Sequence, residues 1–479
     1  MAQNPIAGLI PRGSLGLKLL LVCLLVLAMG IPLLIVAGLV AERQGRAGQV
    51  TAEIGGAAGG QQVVGGPMLL VPYVRSVNVT SDSGAVTTRT ERGSYVVFAE
   101  TGAANTQLSV EDRRVGIYRA AIYRAVTDFN ASFKPAAALR GVDPSYQFDW
   151  TGARIVMFVR DSRAITDAAQ LRFADGATAT LEPISDLSVA APAPDQIYSR
   201  PDLSSTPRYD VPSGLQAFAA PAPLTGGPAD FTVQTRLELT GAERFSIAAF
   251  AQDTTATIHG DRRDARQEGY FQAAQPLAHG ADGAFTASWR VPFVARGMEK
   301  AADLSTFNIG LASQRDMAVS FVASDDIYTG VMRAVRYGIL FIGIVFLATL
   351  IFEAVSGRKA HPAQYILVGL AQCVFYLLLL SMTEIIGFPV AFAISTGATV
   401  ALLGYYAGAS FNSAAIGVRA FIGIAVLYGA MYVLMTLEDL AMLVGAWVAF
   451  GVIAATLITT RRIDWYGRSS SPNASTEAA

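Results

Sequence analysis

The sequence predicts an integral membrane α-helical protein that carries a large β-rich domain outside the bilayer. Of its 479 residues, 52% are hydrophobic and only 15% are charged, whereas soluble domains average about a quarter charged residues. The charges are also unevenly placed, because residues 42–336 hold 59 of them and residues 337–460 hold seven. We therefore expect the first stretch in water and the second in lipid.

The overall charge balance bears on the partners of the chain. The formal net charge is −1, with 36 basic and 37 acidic residues. Proteins that bind nucleic acid present a basic surface to the phosphates. We therefore expect no nucleic-acid partner, and the lipid bilayer is the first partner that the composition implies.

Six apolar runs predict transmembrane helices. A helix needs about 20 predominantly apolar residues to cross the hydrocarbon core. The runs are residues 17–40, 337–355, 366–386, 389–409, 420–436 and 440–459. The first is longer than the apolar core of a signal peptide, and no A-x-A cleavage site follows it. We interpret it as an uncleaved anchor with a kink at Pro32, and the other five as a C-terminal helix bundle.

Basic residues predict the orientation of these helices, because Lys and Arg in short loops favour the cytoplasmic side. Eight basic residues flank the spans on one side, whereas the short opposite loops at residues 384–388 and 437–439 have none. The eight are Arg12, Lys18, Arg358, Lys359, Arg419, Arg461, Arg462 and Arg468. Both termini are therefore predicted in the cytoplasm and residues 42–336 on the far side of the membrane.

The predicted domains follow from this plan. Residues 1–41 form the cytoplasmic N-terminus and anchor, residues 42–336 the β-rich domain, residues 337–460 the five-helix bundle and residues 461–479 a cytoplasmic tail. The tail from residue 469 is rich in Ser, Asn and Ala, so we predict that it is disordered.

Within the β-rich domain, residues 42–54 predict a polar continuation of the anchor helix, and the glycine-rich residues 55–67 predict a linker that ends it. Apolar and polar residues then alternate with the period of a half-buried strand. The clearest strands are residues 68–74, 94–98, 154–159, 231–239, 245–250 and 285–291. We expect antiparallel sheet, as a sandwich or as two sheets. The proline-rich residues 190–228 predict an exposed connection that divides the domain into two parts.

Long runs of the sequence resemble one known family. They are HPAQYILVGLAQCVFYLLLLSMTEIIGFPVAF at residues 361–392, TTRRIDWY at 459–466, ERQGR with the following EI and GGQQ at 42–62, GGPMLLVPY at 65–73, RVGIYRAAIYRA at 114–125, RDSR at 160–163 and DIYTGVMRAVRYGILFI at 326–342. In these runs, which lie in order along nearly the whole chain, the sequence resembles the CreD-like inner membrane proteins, also called cell envelope integrity proteins.

This resemblance implies a bacterial inner membrane protein linked to envelope integrity and to a response to envelope stress or antibiotics. It implies no reaction. We expect a non-enzymatic protein whose periplasmic domain contacts an envelope protein, lipid or glycan. One alternative is a transporter or channel for a lipid or small envelope metabolite, which a hydrated cavity lined by Gln364, Tyr406 or Glu384 would favour. A periplasmic enzyme is a third possibility, which a deep cleft with convergent carboxylates would favour.

Two acidic residues lie inside predicted spans, where an ionisable group is a candidate for function. Glu353 is near the inner end of one span and Glu384 near the outer end of the next. No predicted span has a charge at its centre, where coupled transporters place their ion-binding groups. We interpret both acids as anchors in preference to proton-relay groups, and expect Glu353 to reach toward Arg358 or His361.

Charged residues also gather at the predicted outer surface. The basic set is Arg43, Arg46, Arg333 and Arg336, and the acidic set is Glu384, Glu438 and Asp439. We hypothesise that the two sets meet and dock the bundle beneath the external domain. The alternative is that each is simply hydrated, since exposed ion pairs contribute only about 0–1 kcal/mol.

The motif RVGIYRAAIYRA places Tyr118 and Tyr123 on opposite faces of a strand, with Arg114, Arg119 and Arg124 between and beside them. This pattern would suit an anionic glycan or lipid-headgroup surface. We favour a structural interpretation, in which the tyrosines pack and the arginines pair with neighbours such as Asp112. The nearby RDSR motif is similarly interpreted as a turn with an Asp161 and Arg163 pair.

Glycines in the spans predict close helix packing. Gly404 and Gly408 form G-x-x-x-G in the fourth span, and Gly417, Gly423 and Gly429 recur in the fifth. We favour packing within the bundle over a homodimer contact. After the sixth span, Trp465 and Tyr466 are typical of an anchor at the membrane interface.

We predict no catalytic, cofactor-binding or metal-binding residue. The motifs H-E-x-x-H, G-x-S-x-G and G-x-x-x-x-G-K are absent from the sequence. The histidines, His259, His279 and His361, are far apart, and the third is predicted on the opposite side of the membrane from the other two. The S-x-x-K pattern at residues 356–359 lies in a short predicted loop, so we interpret it as coincidence.

Overall fold

The computed structural model describes residues 15–80, 86–187, 211, 214–280, 282–321, 325–356, 360–436 and 441–461. The chain forms two compact units. The helical unit comprises Met1–Gly48 with Ser324–Ala479, and the β-rich unit comprises Gln49–Ala323.

Long apolar helices account for most of the helical unit. In chain order the helices described are α1 (Leu15–Ala57), α2 (Pro135–Ala138), α3 (Phe293–Arg296), α4 (Ile309–Gln314), α5 (Asp325–Ser356), α6 (Pro362–Ile386), α7 (Phe388–Ser410), α8 (Ala414–Thr436) and α9 (Ala441–Thr460). Of these, α1, α5, α6, α7 and α8 are long and apolar enough to cross a membrane. The sixth predicted span lies on α9, whose apolar segment Gly445–Ile458 is shorter. A crossing by α9 therefore stays a prediction.

Two helices extend beyond the apolar runs that predicted them. Helix α1 has 43 residues and continues through the polar segment 42–54, as predicted, with Pro32 inside it. It ends before Gly59 and Gly60, whose φ angles of 100° and 64° favour glycine. Helix α5 begins at Asp325, twelve residues before the predicted boundary. Hydropathy marks only the part of a helix that lies in hydrocarbon. The polar first turns of α5 are therefore included in the predicted β-rich domain.

Small residues let the helices of the bundle approach closely. A Cβ atom on Gly404 of α7 would lie 2.9 Å from the Cβ of Phe421 on α8, and one on Gly408 would lie 3.3 Å from the Cα of Gly417. These contacts support packing within the bundle. A Cβ atom on Gly423 or Gly429 would have no heavy atom of the described residues within 4 Å, apart from its own helix backbone.

Two sheets make up the β-rich unit. Sheet A contains β1 (Gln62–Thr80), β4 (Tyr146–Phe148), β5 (Arg154–Val159), β8 (Glu182–Ile184), β9 (Gln216–Pro221), β11 (Arg244–Ala248), β13 (Ala265–Gly269), β16 (Ala301–Asp303) and β17 (Asp316–Phe321). Sheet B contains β3 (Tyr118–Phe133), β6 (Gln170–Phe173), β7 (Thr178–Thr180), β10 (Phe231–Ala242), β12 (Ala251–Gly260), β14 (Ala278–His279) and β15 (Phe285–Val291). The long strand β2 (Val86–Val115) belongs to both.

Strand β2 joins the sheets because its two halves have different partners. Residues 86–98 pair with β1 in sheet A, and residues 101–115 pair with β3 in sheet B. Sheet B then has the order β14, β15, β12, β2, β3, β10, β6, β7, in which only the β12 and β2 pair is parallel. The prediction of mostly antiparallel sheet is confirmed.

Alternating burial shows which face of sheet B lies on the core. Along β10, Val233, Leu237 and Leu239 are buried, whereas Gln234 and Arg236 are exposed, as the sequence pattern predicted. Buried side chains from both sheets form a shared hydrophobic cluster, in which the rings of Phe129 and Phe250 lie 5.4 Å apart. A second cluster, which includes Met68, Phe98 and Phe158, lies on sheet A. The opposite face of sheet B is polar and solvated.

Two predicted connections are partly strand. Residues 62–67, predicted as linker, begin β1, because Gly65 and Gly66 leave space for the rings of Phe158 and Phe250. Within the proline-rich stretch, β9 pairs with both β5 and β8. Its alternating alanines allow this pairing before Pro221 ends the strand. Residues 188–210 and 212–213, like Trp465, Tyr466 and the predicted disordered tail, lie outside the described residues.

One charged side chain of the β-rich unit is fully buried. The exposed fraction of Arg296 is 0%, and its guanidinium nitrogens have no hydrogen-bond partner among the described residues. The guanidinium carbon lies 3.5 Å from the ring centre of Phe98. Burial, and secondarily the charge of Arg315, lowers the pKa of Arg296 to about 9. An unpaired buried charge opposes folding.

We predict that Arg296→Met stabilises the full-length protein by about 1–4 kcal/mol, because it removes an uncompensated buried charge. The pKa of Arg296 is depressed in the folded state. Its buried charge therefore destabilises the wild-type protein to the full extent below pH 9, and this destabilisation shrinks as the pH rises above 9. Thermal unfolding in detergent at pH 7 and pH 10 measures both effects. The control Arg290→Met removes an exposed pair with Asp253 and should change little. A lower unfolding temperature for Arg296→Met would contradict the prediction.

Candidate functional site

A buried carboxylate joins three helices at one end of the helical unit. Glu353, near the end of α5, is 6% exposed. Its Oε1 forms an ion pair with Lys18 of α1, and its Oε2 accepts a hydrogen bond of 3.2 Å from the hydroxyl of Tyr365 on α6. Because both oxygens have a partner, the buried charge is compensated. Glu353 therefore links three helices.

The partners expected for Glu353 from the sequence were different. Arg358 lies outside the described residues. His361 instead caps α6, where its Nδ1 accepts a hydrogen bond of 3.2 Å from the backbone of Ala363. In the sequence, Lys18 contributes only to the predicted orientation of the spans. Its pairing with Glu353 is not predicted, because 335 residues separate the two and no local pattern joins them.

A second carboxylate joins the same three helices at their other end. Glu384, in the last turn of α6, has its Oε2 3.4 Å from the Nη1 of Arg43 on α1. Its Oε1 accepts a hydrogen bond of 3.1 Å from Tyr328 of α5. The side chain of Arg43 is 47% exposed, so water screens this pair much more than the inner one.

The two carboxylate sites mark the ends of the apolar part of α1. Lys18 and Arg43 are 25 positions apart, which corresponds to about 37 Å of helix. The hydrocarbon core of a bilayer is about 30 Å thick. The spacing of the two ion pairs along α1 is therefore sufficient to place one at each membrane surface. This geometry supports the interpretation of Glu353 and Glu384 as anchors.

One contact of the hypothesised outer-surface network is seen among the described residues. It is the pair of Arg43 with Glu384. Arg46 pairs with Glu42 one turn away at 3.6 Å, and Arg333 donates a hydrogen bond to the carbonyl of Met435 at 3.4 Å. Glu438 and Asp439 lie outside the described residues.

The bundle also contains a small cavity of about 90 Å³, lined in part by Gln364 and Tyr406. Since a water molecule occupies about 30 Å³ in the liquid, the cavity has room for about three. Glu384 does not line it. Elsewhere on α6, Gln372 is 1% exposed and its amide has no described partner. The sequence does not mark Gln372 as a candidate, because candidates inside the spans are ionisable residues and an amide is neutral.

The solvated face of sheet B forms a cleft with a volume of about 760 Å³. Pairing aligns its side chains in rows across three strands. Asp128 of β3 lies opposite Asn105 of β2 on one side and Arg236 of β10 on the other. In the next row, Gln234 of β10 lies opposite Asn130 of β3. We call this surface the polar cleft.

Two carboxylates of the polar cleft, Asp128 and Glu238, face arginines. Arg236 lies 4.0 Å from a carboxylate oxygen of Asp128 and 3.5 Å from one of Glu238. Glu238 also accepts a hydrogen bond of 2.8 Å from Arg124. This bond from Arg124, with the charges of both arginines, holds the pKa of Glu238 below its ordinary value. The carboxylate is therefore ionised and engaged at neutral pH.

The RVGIYRAAIYRA motif forms the turn between β2 and β3 and the start of β3. Tyr123 is buried and donates a hydrogen bond of 2.8 Å to the carbonyl of Arg244. Asp112 pairs with Arg262 at 2.5 Å. These contacts support the structural interpretation for Tyr123 and Arg124, although the partner of Asp112 is not an arginine of the motif.

The remaining candidates have local structural roles. Asp161 accepts hydrogen bonds from the backbone and side chain of Arg163, which confirms the predicted turn pair. His259 contacts the hydroxyl of Thr286 at 3.0 Å. In the part of the chain described, no three His, Cys, Asp or Glu side chains are grouped to hold a metal. Ser356 ends α5, and the rest of the S-x-x-K pattern lies outside the described residues.

Comparison with known proteins identifies the family. The profile of the family described as "Inner membrane protein CreD" matches residues 14–466. The chain belongs to the CreD family. It is also 25% identical over 449 residues to "Inner membrane protein CreD" of Escherichia coli (strain K12), an alignment that covers 92% of this chain and 91% of the relative. Together with its membrane-spanning helices, this makes it a multi-pass inner membrane protein.

We predict that the two carboxylate sites differ in strength. Lys18→Met leaves the buried Glu353 carboxylate without its cation and should destabilise the protein by about 1–3 kcal/mol, whereas Arg43→Met should cost about 0–1 kcal/mol. Thermal unfolding of Lys18→Met, Glu353→Gln and the double variant in detergent gives the coupling between the pair. The matched cycle uses Arg43→Met and Glu384→Gln. Additive effects at Lys18 and Glu353 would contradict the prediction.

Proposed function

We propose that this CreD-family protein supports the integrity of the cell envelope, as part of a response to envelope stress, by contacting an envelope component through its β-rich unit. The polar cleft is the observation that carries this proposal. The component is an envelope protein, lipid or glycan, and the contact involves no catalysis.

The proposed topology places the β-rich unit in the periplasm and both termini in the cytoplasm. Its support is the distribution of basic residues around the spans, since Lys and Arg in short loops favour the cytoplasmic side. Long segments such as residues 42–336 are translocated largely regardless of their charge.

The form of the polar cleft suits recognition. Its volume of about 760 Å³ lies within the usual range for ligand sites, about 300–1,000 Å³. Asn105, Asn130 and Gln234 supply amides that both donate and accept hydrogen bonds. They lie on adjacent strands of one sheet, so their spacing is fixed by the strand register. A rigid array of this kind favours binding of a polar partner.

The electrostatics of the polar cleft favour binding over catalysis. A carboxylic acid that donates a proton near neutral pH needs a raised pKa, whereas the pKa of Glu238 is lowered by its arginine partners. Asp128 faces the same Arg236. The cleft thus contains carboxylates, as a periplasmic enzyme would require, but arginines engage two of them, Asp128 and Glu238.

Transport is the alternative proposal, and the helical unit gives it less support. The cavity that includes Gln364 and Tyr406 has a volume of only about 90 Å³. Glu353 and Glu384 lie at opposite ends of the bundle, each engaged by a basic residue and a tyrosine. These are properties of a packed bundle held at both ends.

We predict that a photoreactive residue placed at Gln234 in living cells captures a specific envelope component. The same residue at Thr90, an exposed position of sheet A, serves as the control. Mass spectrometry of the adducts identifies what is captured. Recovery of bulk phospholipid alone, or the same adducts from both positions, would contradict the proposal.

A second prediction concerns the amides themselves. Asn105→Leu with Asn130→Leu removes hydrogen bonds worth about 0.5–1.5 kcal/mol each and should lower the yield of the adduct from Gln234 at least fivefold. The control Gln107→Leu replaces an amide elsewhere on β2 and should leave the yield unchanged. Equal capture by wild type and the double variant would show that the cleft does not form the contact.

A further inference from the structure

The hairpin formed by β2 and β3 extends past its neighbouring strands. Strand β12 pairs with β2 only as far as Leu108, and β10 pairs with β3 only from Ile122 onward. Among the described strands, none continues the sheet on either side beyond these points. Residues 115 and 118 still pair across the two-residue turn, in which Gly116 has a φ of 62°. A turn with glycine at this position matches the twist of paired strands.

Positive charge is concentrated at the end of this hairpin. Residues 113–119, here called the hairpin tip, contain three arginines and no acidic residue. Arg114 lies directly opposite Arg119, an arrangement of like charges that disfavours strand pairing. Two acidic residues, Glu111 and Asp112, precede the tip, and Asp112 is bound by Arg262. The charged side chains of the tip itself are therefore all positive, which suits an anionic partner.

The same tip exposes apolar side chains. Val115 is 51% exposed and Ile117 is 45% exposed, and they lie on either side of Gly116. Arg113, Arg114 and Arg119 are exposed around them. An acidic glycan would match the arginines but would leave the two aliphatic side chains in water. A bilayer surface offers both phosphates and hydrocarbon within a few ångströms of each other.

We propose that the hairpin tip docks onto a bilayer surface that bears anionic phospholipid. The three arginines contact headgroup phosphates, and Val115 and Ile117 enter the boundary between headgroups and acyl chains. Each basic residue near such a surface strengthens binding about fivefold, which corresponds to about 1 kcal/mol. Three arginines therefore give a factor of about 100.

A fluorescent probe at the tip tests the proposal in the full-length protein. Cys23 and Cys373 are replaced by alanine, and Ile117→Cys carries an environment-sensitive dye. The protein is reconstituted in nanodiscs of phosphatidylcholine with or without phosphatidylglycerol. In a second arm, vesicles of each composition are added to phosphatidylcholine nanodiscs. We expect the emission of the dye to rise with phosphatidylglycerol in at least one arm and to be quenched by brominated lipid. The arm that responds shows which membrane is contacted.

Charge reversal supplies the matched control. Arg114→Glu with Arg119→Glu should weaken the vesicle or nanodisc response at least tenfold. Arg92→Glu with Arg140→Glu changes the net charge equally at exposed positions away from the tip and should leave the response intact. Circular dichroism and gel filtration confirm folding of each variant. A response that is independent of phosphatidylglycerol, equal losses in both double variants, or binding of a soluble anionic polysaccharide without any lipid response would overturn the proposal.

Discussion

The hydrogen-bonding requirement of the backbone in lipid governs the organisation of this chain. Within hydrocarbon every N–H and C=O must be satisfied internally, so helices can cross, whereas irregular connections and open sheet edges exposed to lipid cannot. Helices α1, α5, α6, α7 and α8 meet this requirement. The β-rich unit, with its solvated sheet face and long connections, does not. Its place is in water, and the chain must therefore enter and leave it through helices.

The charges of the helical unit obey the same constraint. Glu353 and Glu384 each bind a basic residue of α1 and a tyrosine of another helix. The two sites are about one bilayer thickness apart along α1. Between these levels, α1 contacts its neighbours through apolar side chains: Leu33 lies over Gly338 and Met29 over Gly369. The ion pairs thus fix α1 at its two polar ends while its middle remains compatible with lipid. The surfaces through which we propose that the protein contacts its partners, the polar cleft and the hairpin tip, both belong to the β-rich unit.

The sequence predicted features that depend on local periodicity and missed those that depend on distant partners. The strand at residues 285–291 and the buried face of β10 follow from alternation over a few residues. By contrast, Gly65 and Gly66 were expected in a linker because the rings that cover them come from Phe158 and Phe250. The polar cleft is not predicted by the sequence, because Asn105, Asp128 and Gln234 are brought together only by the register of the strands. The burial of Arg296 against Phe98 likewise has no signal in its own segment.

The proposed topology places the β-rich unit across the membrane from both termini. Its most direct test is labelling of single cysteines in cells with a membrane-impermeant maleimide, after Cys23 and Cys373 are replaced by alanine. Gly226→Cys, at an exposed position of the β-rich unit with open space around it, should react in cells whose inner membrane is intact. Ala414→Cys, at the exposed first residue of α8, should react only after that membrane is permeabilised. Protection of residue 226 together with labelling of residue 414 in intact cells would contradict the account.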